Sequence, residues 1–295
     1  MCSEHKKTLM RQDITYIEGV SMENAVESVK KNLFIDHERE TVERIVCSQN
    51  DFKEAYEGLI KYRNYENCLA QMHASTGRET FVYKGNCVVC NSPHPFVVDY
   101  RFAEESDGMK KPNWRERLVC PNCRCNSRQR FSIGKIFEAY TTGMQIGLYE
   151  KETDVFQKVQ REIPDVYGFE CGKFESEDSV CEEVTELSFA NDSFDLLVAN
   201  DVFEHVENYT EALQEACRVL KNGGKIIITV PFDGNSNVTV NRGSAEHVYQ
   251  IFGWDFLDKL KQCGFREAYG KVYYGINEGY LGYLPIFFEA YKKDN

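Results

Sequence analysis

From Gly143 onward, short apolar runs alternate with stretches whose apolar residues recur every three or four positions. The runs MQIGLYE (144–150), DVYGFEC (165–171), VCEEVT (180–185), FDLLVAND (194–201) and KIIITVPF (225–232) predict strands, most of them rich in β-branched or aromatic side chains. Between the last two, TEALQEACRVLKNGG places Ala212, Leu213, Ala216, Val219 and Leu220 on one helical face, with Gly223 and Gly224 as the stop. WDFLDKLKQCGF predicts another helix ending at Gly264, and the tail runs FREAYGKVYYG and IFFEAYKK predict antiparallel strands around GINEGYLGYLP. Such alternation predicts an α/β fold whose largely parallel sheet is covered on both faces.

Upstream the pattern differs. Residues 1–80 carry apolar positions at helical spacing, Ala25, Val26, Val29, Leu33 and then Tyr56, Leu59, Ile60, with Ser21 and Ser48 placed as N-caps. They predict a helical N-terminal region without a chemical motif, in which His37 and His73 are surface or packing residues. Residues 81–130 are rich in cysteine, proline, asparagine and arginine, which suits a small loop-rich knuckle, and FSIGKIFEAY after it is helix-like. The expected organisation is therefore 1–80, 81–130 and an α/β domain over 131–295.

The formal charge of −12 over 295 residues argues against nucleic acid as the principal partner, since that binding rests on Lys and Arg displacing counterions. One basic stretch stands out: Lys110, Lys111, Arg115, Arg117, Arg124, Arg128 and Arg130. A zinc held by four thiolates carries a net charge of about −2, so these side chains are expected to balance it. No apolar run is long enough for a membrane helix and MCSEHKKTLMRQD lacks the apolar core of a signal peptide, so a cytoplasmic protein is expected.

The 12 cysteines then read as metal ligands and buried thiols rather than disulfides. Cys87-x-x-Cys90 and Cys120-x-x-Cys123 can each place two sulfurs on one ion, and together they complete a closed tetrahedral shell with a structural role. Cys125 and His94 are alternatives for one ligand.

The segment 182–232 resembles the middle of the class I S-adenosylmethionine-dependent methyltransferases, particularly the methyltransferase-11-like group. The matching elements are an acidic residue before an LPF-like turn (Leu187, Ser188, Phe189), the D-S-F-D entry to a strand, E-H-V, and R-V-L-K-x-G-G before an apolar strand. N-W-R-E-x-L-x-C-P-x-C (Asn113 to Cys123) and H-x-Y-x-x-F-G-x-D (His247 to Asp255) resemble members with a cysteine zinc knuckle upstream. The resemblance implies a Rossmann-like, doubly wound, mostly parallel seven-stranded sheet with an antiparallel C-terminal hairpin, preceded by the zinc knuckle and the helical region. It implies S-adenosylmethionine as cofactor. Glu170 would hold the ribose diol, Glu183 the adenine amino group with Val184 on the ring, and Glu150, Asn200 and Asp201 would surround the methionyl part. The turn after the first strand, GLYEKETDVF, departs from the family in having Gly147 alone.

Direct in-line transfer needs alignment above all, so the expected activity is O- or N-methylation of a small molecule or glycan sugar, with His247 or His205 as base for a hydroxyl acceptor. The tail aromatics, among them Tyr269, Tyr273 and Phe287, are candidates for an acceptor pocket or for core. The competing reading is a degenerate cofactor-binding fold that serves as a zinc-containing interaction module, favoured by the glycine-poor loop.

Overall fold

The computed structural model describes residues 41–106, 109–150, 153–169, 184–243, 248–282 and 285–293. Its strands in chain order are β1 (Val42–Val46), β2 (Thr80–Cys87), β3 (Ser92–Asp99), β4 (Glu104–Ser106), β5 (Met109–Lys111), β6 (Leu118–Val119), β7 (Ile146–Leu148), β8 (Tyr167–Gly168), β9 (Phe194–Asn200), β10 (Leu220–Thr229), β11 (Val240–Asn241), β12 (Gln250–Ile251), β13 (Phe265–Tyr274) and β14 (Ile286–Lys292). Seven of them form one sheet in the order β1-β13-β14-β10-β9-β7-β8. The pairings β10-β9, β9-β7 and β7-β8 are parallel, while β10-β14, β14-β13 and β13-β1 are antiparallel.

The parallel half and the C-terminal hairpin match the sequence expectation, and the helices Tyr209–Val219 and Asp255–Gln262 form where the periodicity places them. β9 is an interior parallel strand, paired with β10 and β7, and its Leu196 to Ala199 are fully buried because helices flank the sheet. The seventh strand differs from the expectation. Residues 180–183 of the VCEEVT run lie outside the described residues, and Val184 and Thr185 form a turn. β1 takes the outer edge instead, from the region expected to be helical, and pairs with β13. A five-residue run with mixed burial carries too little alternation to be read as a strand beside stronger helical signals. The helices Gln49–Gly58 and Ile60–Ala74 follow it, and Ser48 caps the first by accepting from the Asp51 amide. Ala25 to Leu33, Ser21 and His37 lie outside the described residues. Ile60, expected on the apolar face, is exposed, whereas His73 is buried and stacks on Phe81 with ring centroids 3.6 Å apart.

Gly223 and Gly224 act later than the sequence suggests. The helix ends at Val219, and the glycines lie within β10, where its register against β9 shifts between Leu220 and Lys225. Gly223 has φ +72°, which a side chain would resist. Gly147 belongs to the strand rather than to a cofactor-facing turn: a Cβ there would lie within 2.8 Å of the Leu197 and Phe169 side chains.

β2, β3 and β6 form a small antiparallel sheet of their own. It is joined to the large sheet through the β13–β14 connection. Asn86 donates its amide to the Asn277 carbonyl at 2.6 Å, the Tyr83 hydroxyl donates to Ile276 at 2.6 Å, and Ser127 donates to Gly279 at 3.0 Å. At the centre is Arg130, fully buried on the helix Ser127–Ala139, whose guanidinium donates to the carbonyls of Leu118, Cys125, Glu278 and Gly279 and lies 3.9 Å from the Phe96 ring centroid. A buried guanidinium without this set of acceptors would be strongly destabilising. The helix itself starts in a capping box, with Asn126 accepting from the Gln129 amide and Gln129 accepting from the Asn126 amide.

The tail aromatics resolve as core. Tyr273, Tyr274, Tyr280, Phe287 and Phe288 are all buried, Phe131 stacks on Tyr273 at 3.6 Å, and Tyr269 instead bonds Glu289. Tyr283 lies outside the described residues.

Candidate functional site

In an open parallel sheet, ligands gather at the carboxyl ends of the strands, where β7 and β9 finish side by side. β7 delivers Glu150 two residues past its end, and β9 delivers Asn200 and then Asp201. Asn200 donates its amide to Glu150 Oε1 at 2.5 Å, and Thr153, the cap of the helix Asp154–Glu162, donates to Glu150 Oε2 at 2.9 Å. Burial pushes the Glu150 carboxyl up, against the opposing pull of those two donors. The Oδ1 of Asn200 is buried and has no hydrogen-bond partner among the described residues.

Asp201 adopts φ +52°, the left-handed region that Asp tolerates better than most residues. Its carboxylate receives Arg115 in a bidentate pair at 2.8 and 3.2 Å, Arg128 at 3.1 Å, and the Thr229 hydroxyl at 2.9 Å. Both guanidinium groups also bind Glu116, Arg128 at 3.1 Å. Burial acts to raise the Asp201 carboxyl, but Arg128 and Arg115 outweigh it and take it down to about 2. Arg115 comes from the short helix Trp114–Arg117 and Arg128 from the first turn of Ser127–Ala139, so residues on either side of β6 in the small sheet complete a site on the large one.

Next along the chain, Phe203–His205 form a single 3-10 turn. Glu204 is buried, with Oε2 unpartnered among the described residues; burial, and then the nearby Asp201 charge, push its carboxyl up to about 8. His205 is partly exposed, with Nε2 3.8 Å from Glu204 Oε1.

The structure therefore brings Glu150, Asn200 and Asp201 together and sets His205 one turn beyond them. Val184 is partly buried against the core in the turn that precedes β9. Glu170, Glu183 and His247 lie outside the described residues. Sequence reasoning missed Arg115, Arg128, Glu116 and Glu204. The arginines were assigned to charge balance around sulfur; instead Arg115 and Arg128 pair with Asp201 and Glu116, Arg117 with Asp99, and Arg130 with carbonyls. The signal was the N-W-R-E run, which placed Arg115 and Glu116 in one motif.

The cysteine pairs do converge. Cys87, Cys90, Cys120 and Cys123 have Sγ atoms all within 4.8 Å of one another, with Cys87–Cys123 at 3.7 Å and Cys90–Cys120 at 3.9 Å. Four sulfurs each about 2.3 Å from one zinc would be about 3.8 Å apart, so the donor set fits a tetrahedral cation. Asn122 donates to Cys90 Sγ at 3.2 Å. Neither alternative ligand joins them: Cys125 bonds the Cys123 carbonyl and His94 Nε2 contacts Ser92 Oγ at 3.0 Å.

The mixed sheet with flanking helices, its parallel strands ending in charged residues at β7 and β9, is Rossmann-like. Residues 160–228 match the family described as methyltransferase domain. Two uncharacterised proteins of Methanocaldococcus jannaschii are similar: one is 44% identical over 135 residues, 46% of this chain and 50% of its own length, the other 47% identical over 45 residues, 15% of this chain and 22% of its own. The chain thus spans half or less of the curated relatives it matches. Among solved structures, a Burkholderia thailandensis 1,6-didemethyltoxoflavin-N1-methyltransferase with bound S-adenosylhomocysteine is 15% identical, covering 57% of this chain and 79% of that one at a TM-score of 0.40. An S-adenosylmethionine-dependent methyltransferase of Thermotoga maritima is 16% identical, covering 56% and 92% at 0.36. These scores are too low to carry weight. No helix among the described residues is long and apolar enough to cross a membrane.

Glu204 generates a pH prediction. Its native carboxyl titrates above its unfolded value of about 4.5, so the native state binds the extra proton and wild-type stability falls as pH rises toward about 8. Glu204→Gln, which cannot ionise, should therefore gain in melting temperature relative to wild type by a few degrees, roughly, between pH 5 and pH 8. Thermal melts with an identical difference at both pH values would contradict this.

Proposed function

We propose that the chain is an S-adenosylmethionine-dependent methyltransferase acting in the cytoplasm, which methylates an oxygen or nitrogen of a small molecule or glycan sugar by direct in-line transfer. The observation that carries this reading is the grouping of Glu150, Asn200 and Asp201 with Arg115 and Arg128 at the carboxyl ends of β7 and β9, in a chain whose residues 160–228 match the methyltransferase-domain family. A methionyl group presents an ammonium and a carboxylate. Acidic and guanidinium groups gathered at one end of the parallel strands answer both, and Asn200 Oδ1, unpartnered among the described residues, supplies a further acceptor. Glu170 would hold the ribose and Glu183 the adenine amino group, with Val184 against the ring.

Bound there, the cofactor supplies a methyl group already activated by its sulfonium, so the protein's part is alignment and exclusion of water. The chain's own residues would then orient the acceptor and accept the proton that its oxygen or nitrogen gives up. His205 and His247 are the proposed bases. Cys87, Cys90, Cys120 and Cys123 would hold zinc in a closed shell, which keeps no position for water and so has a structural role.

Calorimetric titration with S-adenosylhomocysteine tests the cofactor reading. Saturable micromolar binding is expected for the wild type, weakened roughly tenfold or more in Arg128→Met, which removes a cation from the proposed carboxylate site. No detectable heat at high micromolar ligand would favour the competing reading, a degenerate fold serving as an interaction module. Elemental analysis of protein purified without chelator should find about one zinc per chain. A value well below that would remove the metal.

A further inference from the structure

A cleft of about 800 Å³, within the range of small-molecule sites, shares Arg115 with the site at the ends of β7 and β9. Its lining comes from the helix Ile60–Ala74, the segment 111–115, the residues following β10, the β11–β12 arm and the β13–β14 connection. Arg115 is common to both sites: it lines the cleft and binds Asp201, so one side chain links the cleft to the proposed methyl-donor position. One wall is apolar and partly aromatic, with Trp114, Val230, Phe232 and Ile286, and the exposed Val238 and Val240 stand at its mouth. Val240 pairs with Ile251 across the β11–β12 arm, which lays both at the cleft's edge.

The charges have an excess of one sign. Arg63, Lys111, Arg115 and Arg242 face Glu66, Glu104 and Asp233. Glu66 is buried, accepts from the Gly282 amide at 2.6 Å, and is pushed by burial up to about 7, so it brings less than a full negative charge near neutrality. Arg115 is committed to Asp201 and Glu116, which leaves Arg63, Lys111 and Arg242 against Glu104, Asp233 and the partly protonated Glu66; Arg63 lies over the Tyr56 ring at 3.5 Å, so Lys111 and Arg242 are the cations placed to meet a ligand. In a chain of net charge −12, a concave site with more cations than anions concentrates the field on an incoming anion.

We propose that this cleft takes the methyl acceptor, and that the acceptor is a small amphipathic anion whose apolar body lies on the Trp114–Phe232 wall and whose carboxylate or phosphate meets Lys111 and Arg242. The proposal rests on the methyltransferase reading for the word acceptor, while the preference for an anion rests on the cleft alone. An apolar wall without cations would favour neutral hydrophobic ligands, and a charged rim without the wall would favour hydrated ions; the two together select a molecule with both parts.

The test uses the full chain and two dyes with similar aromatic bodies, anionic 1-anilinonaphthalene-8-sulfonate and neutral N-phenyl-1-naphthylamine. The sulfonate dye should bind at one saturable site, and the variant carrying Lys111→Gln and Arg242→Gln should weaken it roughly tenfold while leaving the neutral dye unchanged. Both replaced side chains reach solvent, and an unchanged melting temperature checks that the variant is folded. Displacement of the sulfonate dye by benzoate or by phenyl phosphate then tells a carboxylate site from a phosphate site. Equal affinity for both dyes, unaltered by the substitutions, would overturn the proposal, as would displacement by neither anion. S-adenosylhomocysteine titration of the same variant should match the wild type. If the wild type binds the sulfonate dye as described but not S-adenosylhomocysteine, the anion site stands and the methyltransferase reading falls.

Discussion

Two guanidinium groups converge on the Asp201 carboxylate at the end of β9, and the arrangement of the candidate site depends on that contact. All three charges are largely withdrawn from water, so each is tolerable only while the others stay in place. The pairing therefore does more than neutralise. It fixes the segment 114–128 against the carboxyl end of the parallel strands, where a ligand of such a sheet would sit. Glu116 closes the network by binding both arginines, and Asn126, which caps the following helix, donates to Glu116 at 2.7 Å.

The cysteine cluster and this network share one stretch of chain. Cys120 and Cys123 lie between Arg115 and Arg128, so the short loop held by the sulfurs also spaces the two arginines. Arg130 anchors the far side of the same loop by binding the Leu118 and Cys125 carbonyls and reaching across to Glu278 and Gly279. Gly279, at φ +65°, allows that approach, since a Cβ would meet Phe96 and Leu118 at about 3 Å. The small sheet is thus a working part of the site: it sets positions on the large sheet to within a side-chain contact. The acceptor cleft follows from the same construction, because Trp114 and Arg115 form its inner wall.

Much of this was legible in the chain. The helix Tyr209–Val219, the strand β9 and the C-terminal hairpin announce themselves through periodicity, because each buries a regular face. The four sulfurs announce themselves through spacing, because two residues between ligands is a local geometric requirement. Glu150, Asn200 and Asp201 followed from strand ends. What escaped is tertiary. β1 is recognisable only by its partner β13, and no local feature says that Arg115 and Arg128 meet Asp201 rather than sulfur. Nor does sequence distinguish a glycine that admits a ligand from Gly147, whose missing side chain makes room for Phe169 and Leu197.

The central claim is that Asp201 and the arginines form one energetic unit linking the small sheet to the large one. A double-mutant cycle on Arg128→Met and Asp201→Asn, read as unfolding free energy from urea titration, measures that link directly. A coupling of roughly 1.5 kcal/mol or more is predicted, with each single substitution costing more than its share because it strands the partner charge. Additivity of the two substitutions within about 0.5 kcal/mol would contradict the account.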